Sequence, residues 1–259
     1  MGAAPAPARR HADLRFLGVT ALAMAAAVAA WDAAMRAMAG MAVLCTNTAA
    51  MSWLPPPGGT WTGVLAAFLA MWTAMAVAMM LPSVAPALWR YRGRLHDAGT
   101  RRADGLAAMA GAGYFCTWML IGLLVFPLGA AVAVLEARVP ALARLAPAAT
   151  GLVVLAGGLF QLPAFKARHL AACGAMRCAC PGAAWRDGLR LGLRCGVSCA
   201  GLTASLLAVG MMDWRAMAFA TAATAGERLL PGGPRVARIT GGILATAGAF
   251  MLARATPLA

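Results

Sequence analysis

The residues of this chain best suited to chemistry are sulfur and imidazole donors. Seven cysteines stand at positions 45, 116, 173, 178, 180, 195 and 199, beside 17 methionines and three histidines in 259 residues. His169 and Cys173 are four positions apart, as are Cys195 and Cys199, and Cys178-Ala179-Cys180 lies between the two pairs. Positions four apart on a helix share a face, so two ligands there can grip one metal ion. Met71, Met75 and Met79 repeat the interval, followed by Met80, Pro82 and Pro86. Thioethers stay unprotonated and, with thiolates, form the soft donor set that suits Cu(I) without a carboxylate. The methionine stripe by itself fits ordinary packing equally well, because Met fills irregular gaps between helices.

Conventional acid–base catalysis has few candidates. His11, His96 and His169 are the only histidines, and the chain lacks a Gly-x-x-x-x-Gly-Lys-Ser/Thr phosphate loop, a His-Glu-x-x-His zinc motif and a Ser/His/Asp set. Asp32 and Glu227 stand at the ends of apolar stretches, where a carboxylate is normally solvated or paired with a nearby Arg. Glu227-Arg228 reads as an anchor for the inside end of the sixth stretch. A non-enzymatic, metal-holding role is the expectation.

Those donors are positioned by apolar helices. Hydrophobic residues make up 62% of the chain and charged ones only 12%, against about 25% charged in a soluble domain. Mean hydropathy is +0.76. Seven apolar stretches can be marked, at 16–31, 62–81, 105–127, 148–164, 189–211, 214–226 and 236–253. The expected fold is all-α, a polytopic transmembrane helix bundle of about seven spans, the sixth short enough to be a half-span or tilted helix. Residues 1–15 form a short basic cytoplasmic tail and 16–255 one transmembrane domain. A soluble enzyme is excluded.

The net charge of +14 would suggest nucleic acid if it formed a face on a soluble fold, but here the cations sit between apolar runs. With seven crossings and the N-terminus inside, seventeen of the 22 Lys and Arg fall in inside segments and five outside. That asymmetry is the orientation signal of a multi-pass inner-membrane protein with N-in and C-out. The lipid bilayer is then the first partner, and nucleic acid is not one. Residues 8–30 also have the layout of a signal peptide, yet the chain stays apolar past Trp31, which favours an uncleaved first helix. The outside segment carries WLPPPGGTW, an irregular loop, since three prolines and two glycines cannot continue a helix. Trp53 and Trp61 bracket it as interface residues, with Trp72 a third candidate.

All cysteines but Cys45 fall in the inside half of this topology, where structural disulfides are disfavoured. The methionine stripe ends there, the His169/Cys173 segment lies there, and Cys195 and Cys199 begin the fifth span there. Tyr114 and Cys116 sit early in the third span, in the same leaflet. One site could collect them. Gly196 and Gly201, among the fifth-span thiols, are expected to let a neighbouring helix approach closely.

Ordered motifs carry a resemblance. MWTAMAVAMMLPSVAPALWRYR at 71–92, GYFCTW at 113–118, FQLPAFK at 160–166, the His169/Cys173 pair, WRDGLRLGLRCG at 185–196, Cys199-Ala200-Gly201, GMMDWRAM at 210–217 and GERLLPGG at 226–233 resemble a bacterial family. It is the predicted metal-binding integral membrane family that includes the copper-chaperone partner of a bacterial tyrosinase, and the similarity covers about residues 65–253. The chain departs from the pattern at two places. His169 stands where a cysteine is expected, which keeps a metal donor, and Leu202, Thr203 and Ala204 follow Gly201 where two further thiols and a tryptophan are expected. Cys178, Cys180 and Cys195 could compensate.

The resemblance implies a membrane protein in the bacterial plasma membrane that holds Cu(I) and delivers it to a copper oxidase or another membrane or periplasmic partner. The expected ligands are His169, Cys173, Cys195 and Cys199, with Met75 and Met79 as weaker thioether contacts and Cys178 and Cys180 in reserve. The alternative is a non-catalytic membrane subunit or small permease with a degenerate metal site. The topology is checked by reporter fusions. With segments 82–104 and 165–188 cytoplasmic, an alkaline-phosphatase fusion after Gly99 is expected to be inactive; an active one would place that segment outside and remove the thiols from the cytoplasmic side.

Overall fold

The fold comes from a computed structural model, which describes residues 6–42, 53–55, 59–162, 180–210, 213–230 and 232–255. Cys45, His169, Cys173 and Cys178 lie outside the described residues. Among the described residues there are seven helices and no strand. They are α1 (Ala6–Ala42), α2 (Trp61–Asp97), α3 (Ala103–Arg138), α4 (Pro140–Phe160), α5 (Pro181–Val209), α6 (Trp214–Leu229) and α7 (Gly233–Ala255).

Each helix carries one of the seven apolar stretches. Five are long and apolar enough to cross a membrane, namely α2, α3, α4, α5 and α7. Helix α6, with 16 residues, is about 24 Å long at 1.5 Å per residue, short of the roughly 30 Å hydrocarbon core. In α1 the apolar part is the shorter run Leu17–Ala33.

The helices extend well beyond their apolar windows. The segment 82–104, expected as a loop, is helical to Asp97, so that only a short turn at Gly99 joins α2 to α3. Pro82 and Pro86 lie inside α2, where each removes a backbone donor. Burial of Leu81, Val84, Leu88, Tyr91 and Leu95 on the same helix holds the chain helical past them, as neighbouring helices do for prolines in membranes. Gly99, at φ 74°, makes the turn that a side chain would strain. Arg92 Nε then reaches Asp104 Oδ1 on the first turn of α3 at 2.5 Å, with His96 Nε2 at 3.2 Å from the same oxygen. Between α3 and α4 the linker is Val139 alone, followed by Pro140 at the first turn of α4, a position where proline loses nothing. Helix α6 opens on an Asp213 cap that accepts from Arg215 N at 2.8 Å.

The core lies around α2. Phe68, Met71, Trp72, Met75, Met79 and Met80 pack with Tyr114, Trp118 and Phe126 of α3, Cys195 and Cys199 of α5, and Met217 of α6. Trp72, a candidate interface residue by sequence, is instead wholly buried, donating Nε1–H to Trp118 O at 2.8 Å. Trp53 packs its ring on Phe68 at a centroid distance of 5.0 Å, and only Trp61 of the three is exposed. An indole caught between two helices gains more from packing than from a headgroup layer, and sequence position alone does not distinguish the cases.

Glycines set the helix spacing. A side chain at Gly188 of α5 would strike Ala110 O of α3, one at Gly113 would meet Trp185 O at 2.5 Å, and one at Gly192 would meet Thr117 Oγ1 at 2.8 Å. Thr117 Oγ1 uses that closeness to donate across to Leu189 O at 3.1 Å. Helix α4 is held likewise against α7, through Gly158 facing Gly241 O and Ala245 N, and Gly151 facing Leu252 N. Gly201 of α5 faces Gly157 of α4, a Cβ on the former falling 2.7 Å from the carbonyl oxygen of the latter. Gly196 faces only the movable end of Ile121.

Gly201→Leu must therefore push the backbones of α4 and α5 apart. It is expected to lower membrane accumulation several-fold, whereas Gly242→Leu on α7, where a Cβ would meet nothing within 4 Å, leaves it unchanged. Quantitative blotting of membranes from cells expressing each variant checks this, and equal accumulation would remove the close-approach argument.

Candidate metal centre

Two thiols meet inside the bundle. Cys195 and Cys199, one turn apart on α5, are both buried, at 0% and 1% exposure. The turn-by-turn contact of α5 with α3 brings Tyr114 Oη to 2.9 Å from Cys195 Sγ. From α2, Met80 Sδ reaches within 3.8 Å of the same sulfur. Between the cysteines, Ser198 donates its hydroxyl to Cys195 O at 2.9 Å and lies 3.9 Å from Cys199 Sγ.

Helix α6 closes the cluster with a cation. Arg228 Nη2 donates to Cys195 Sγ at 2.9 Å and to Ser198 Oγ at 3.1 Å, and lies 3.8 Å from Cys199 Sγ. The Glu227-Arg228 pair, expected as an anchor at the end of the sixth stretch, is thus turned inward, with Arg228 half-buried and Glu227 buried. Gly233 at the start of α7 allows this, because a side chain there would collide with Glu227 O and push the end of α6 away.

The expected donors divide into three groups. Cys195 and Cys199 come together. Met75 and Met79 are buried in the same core, while the sulfur set beside Cys195 belongs to Met80; adjacent residues leave a helix about 100° apart, so the stripe at 71, 75 and 79 and the thiol contact at 80 lie on different faces. Cys180 is exposed at the start of α5, fifteen residues before Cys195 and so about 22 Å away along the helix. Cys116, only half-buried, leaves α3 two positions after Tyr114 and on the other side. His169, Cys173 and Cys178 belong to the segment outside the described residues. Among the described residues no group of three or more His, Cys, Asp and Glu gathers as a metal cage.

Sequence reasoning passed over Met80, Ser198 and Arg228 as working groups. An arginine directly after a carboxylate at the end of an apolar stretch looks like interface chemistry, and only the packing of α6 against α2, α5 and α7 turns it toward the thiols. The available signal was the spacing of Ser198, three residues after Cys195 and therefore on its face.

In chemical terms the cluster offers two potential thiolates and one thioether, all soft, with a guanidinium against the sulfurs. Cu(I) accepts few, soft ligands, and such a set suits it better than a hard cation that needs oxygen. No curated protein and no solved structure matches the chain. A family model described as PpoB2, copper chaperone, matches residues 69–251, well over half of the sequence and a region that includes Met80, Tyr114, Cys195, Cys199 and Arg228. The chain, with five helices long and apolar enough to cross a membrane among the described residues, belongs to the PpoB2 copper chaperone family.

Proposed function

We propose that this protein holds Cu(I) on Cys195 and Cys199 within the bundle, with Met80 as a thioether neighbour, and delivers it to a partner protein that uses copper. The observation that carries the reading is the burial of two thiols one turn apart beside a thioether and a guanidinium. Buried polar and ionic groups are costly inside a membrane and are retained there for function. The copper ion is cargo on this reading, and the role is non-catalytic, as membership of a copper chaperone family suggests.

His169, Cys173, Cys178 and Cys180 complete the reading as donors of the segment that precedes α5. On this reading they receive or release the ion, and the buried pair holds it. Exposure of Cys180 at the start of α5 supports that division, since a donor in solvent can meet another protein while one inside the bundle cannot. The setting is the bacterial plasma membrane with the N-terminus in the cytoplasm, supported by the excess of Lys and Arg in the inside segments. A copper oxidase, or another membrane or periplasmic copper protein, is the partner this chemistry serves.

The test is Cu(I) binding by the purified, reduced protein in detergent, under anaerobic competition with a chromogenic chelator. The unmutated protein is expected to take up copper, Cys195→Ser with Cys199→Ser to fall to background, Cys173→Ser to bind less, and Cys45→Ser and Cys116→Ser to bind as the unmutated protein does. If all variants carry the same copper, or none carries any, the sulfurs are packing groups of a non-catalytic subunit.

A further inference from the structure

Where α2 begins and α3 ends, the two helices enclose an open groove of about 390 Å³, lined by Trp61 of α2 and by Ala130, Ala131, Val134, Leu135 and Arg138 of α3. The α3 positions recur at intervals of three and four and so form one face of the helix. Two alanines leave the hollow, and the bulkier Val134 and Leu135 continue its floor. Trp61, Leu135, Ala131 and Arg138 are exposed. The groove is remote from the thiols, since Tyr114 precedes Arg138 on α3 by about 36 Å of helix.

Its two ends differ in chemistry. Arg138 stands in the last turn of α3, about 12 Å along the axis from Ala130. Among the described residues its guanidinium takes part in no ion pair. Glu136 leaves the helix about 200° around from it, on the other side, and Arg144 lies on α4, outside the groove lining. The C-terminus of α3 and the N-terminus of α4 are joined by Val139 alone, so their opposed dipoles offset one another and the guanidinium is left as the charge at the rim. Trp61 opens the apolar part of α2, the level at which indoles gather in the headgroup layer. The charged rim is thus at headgroup depth, and the apolar floor runs inward from it.

A cation at the rim of an alkyl-lined groove matches an amphiphile with an anionic head and a hydrocarbon tail. A soluble anion would gain nothing from the floor, and an uncharged hydrocarbon would gain nothing from Arg138. The planar fork of an arginine also fits phosphate oxygens in pairs. We infer that this groove binds one anionic phospholipid, its phosphate on Arg138 and the upper part of an acyl chain along Ala130, Ala131 and Val134 against Trp61. The site is independent of copper holding, and either can fail without the other.

The experiment is native mass spectrometry of the full-length protein in detergent, titrated with phosphatidylglycerol or phosphatidylcholine carrying identical long acyl chains. The unmutated protein is expected to retain one phosphatidylglycerol about fivefold more tightly than phosphatidylcholine, the scale of one cation beside an anionic lipid. Arg138→Gln should make the two lipids equal. Ala131→Phe, which fills the groove, should weaken both several-fold, whereas Arg144→Gln should leave the preference intact. A short-chain phosphatidylglycerol should bind at least about tenfold more weakly than the long-chain form, because the floor then goes uncovered.

Equal retention of the two lipids by the unmutated protein would overturn the assignment, as would a preference that survives Arg138→Gln. If Arg144→Gln abolishes the preference as fully as Arg138→Gln does, the lipid answers to diffuse charge and the site is lost. Short-chain lipid held as tightly as long-chain would make the ligand a headgroup alone, and a lipid-free dimer would make the occupant a second copy of the chain; each outcome refutes the inference. Both groove substitutions fall at exposed positions, where folding is little affected, and should Ala131→Phe fail to accumulate, Arg138→Gln decides.

Discussion

The contact on which the rest of the molecule depends is the backbone-to-backbone approach of α3 and α5. Gly188, Gly113 and Gly192 leave no room for a Cβ between the two helices. In lipid the apolar effect does not draw helices together, so association falls to van der Waals contact and interhelical hydrogen bonds, both of which require closeness. The donation from Thr117 to Leu189 O is available only at that separation. So is the reach of Tyr114 Oη to Cys195, because the tyrosine directly follows Gly113 on the same helix. Moving α5 outward by one methyl group would take the thiols away from their phenol and their thioether together.

Helix α2 supplies the mass against which this pair is fixed. Trp72 and Trp118 interlock through ring contact and the indole hydrogen bond, and Phe68, Trp53 and Phe126 continue the aromatic packing toward one end. Toward the other, methionines replace the aromatics. Met is flexible and polarisable, so it can fill the irregular space beside two cysteines without dictating a single shape. The same helix is therefore rigid where it aligns α3 and adaptable where it meets the sulfurs.

The shortest helix brings the most unusual group. Helix α6 does not span the hydrocarbon thickness, and this lets its end, with Glu227 and Arg228, stop among the other helices. A full-length helix would carry those residues out to the surface. An arginine drawn in among packed helices needs opposite charge or polar partners, and the sulfurs and Ser198 are among those that half-buried Arg228 has. The packing of four helices around Cys195 keeps its sulfur from solvent.

How much of this was legible beforehand follows from what each feature depends on. The helical bundle and its apolar stretches are local properties of composition and length, and each stretch has its helix in the structure. That Cys195 and Cys199 share a face could be read from their four-residue spacing, which is helix geometry, and the closeness of Tyr114 from its leaflet. The helix ends could not be read in the same way. Backbone hydrogen bonding carries α2 through two prolines and past its apolar window, because what sustains it is burial against neighbours. Trp72 became core and Trp61 surface for the same reason. The choice of Met80 over Met79, and the inward turn of Arg228, depended on the rotation of α2 and α6 about their own axes. The sequence of one helix determines which residues share a face; which way that face points is decided only when the other helices pack against it.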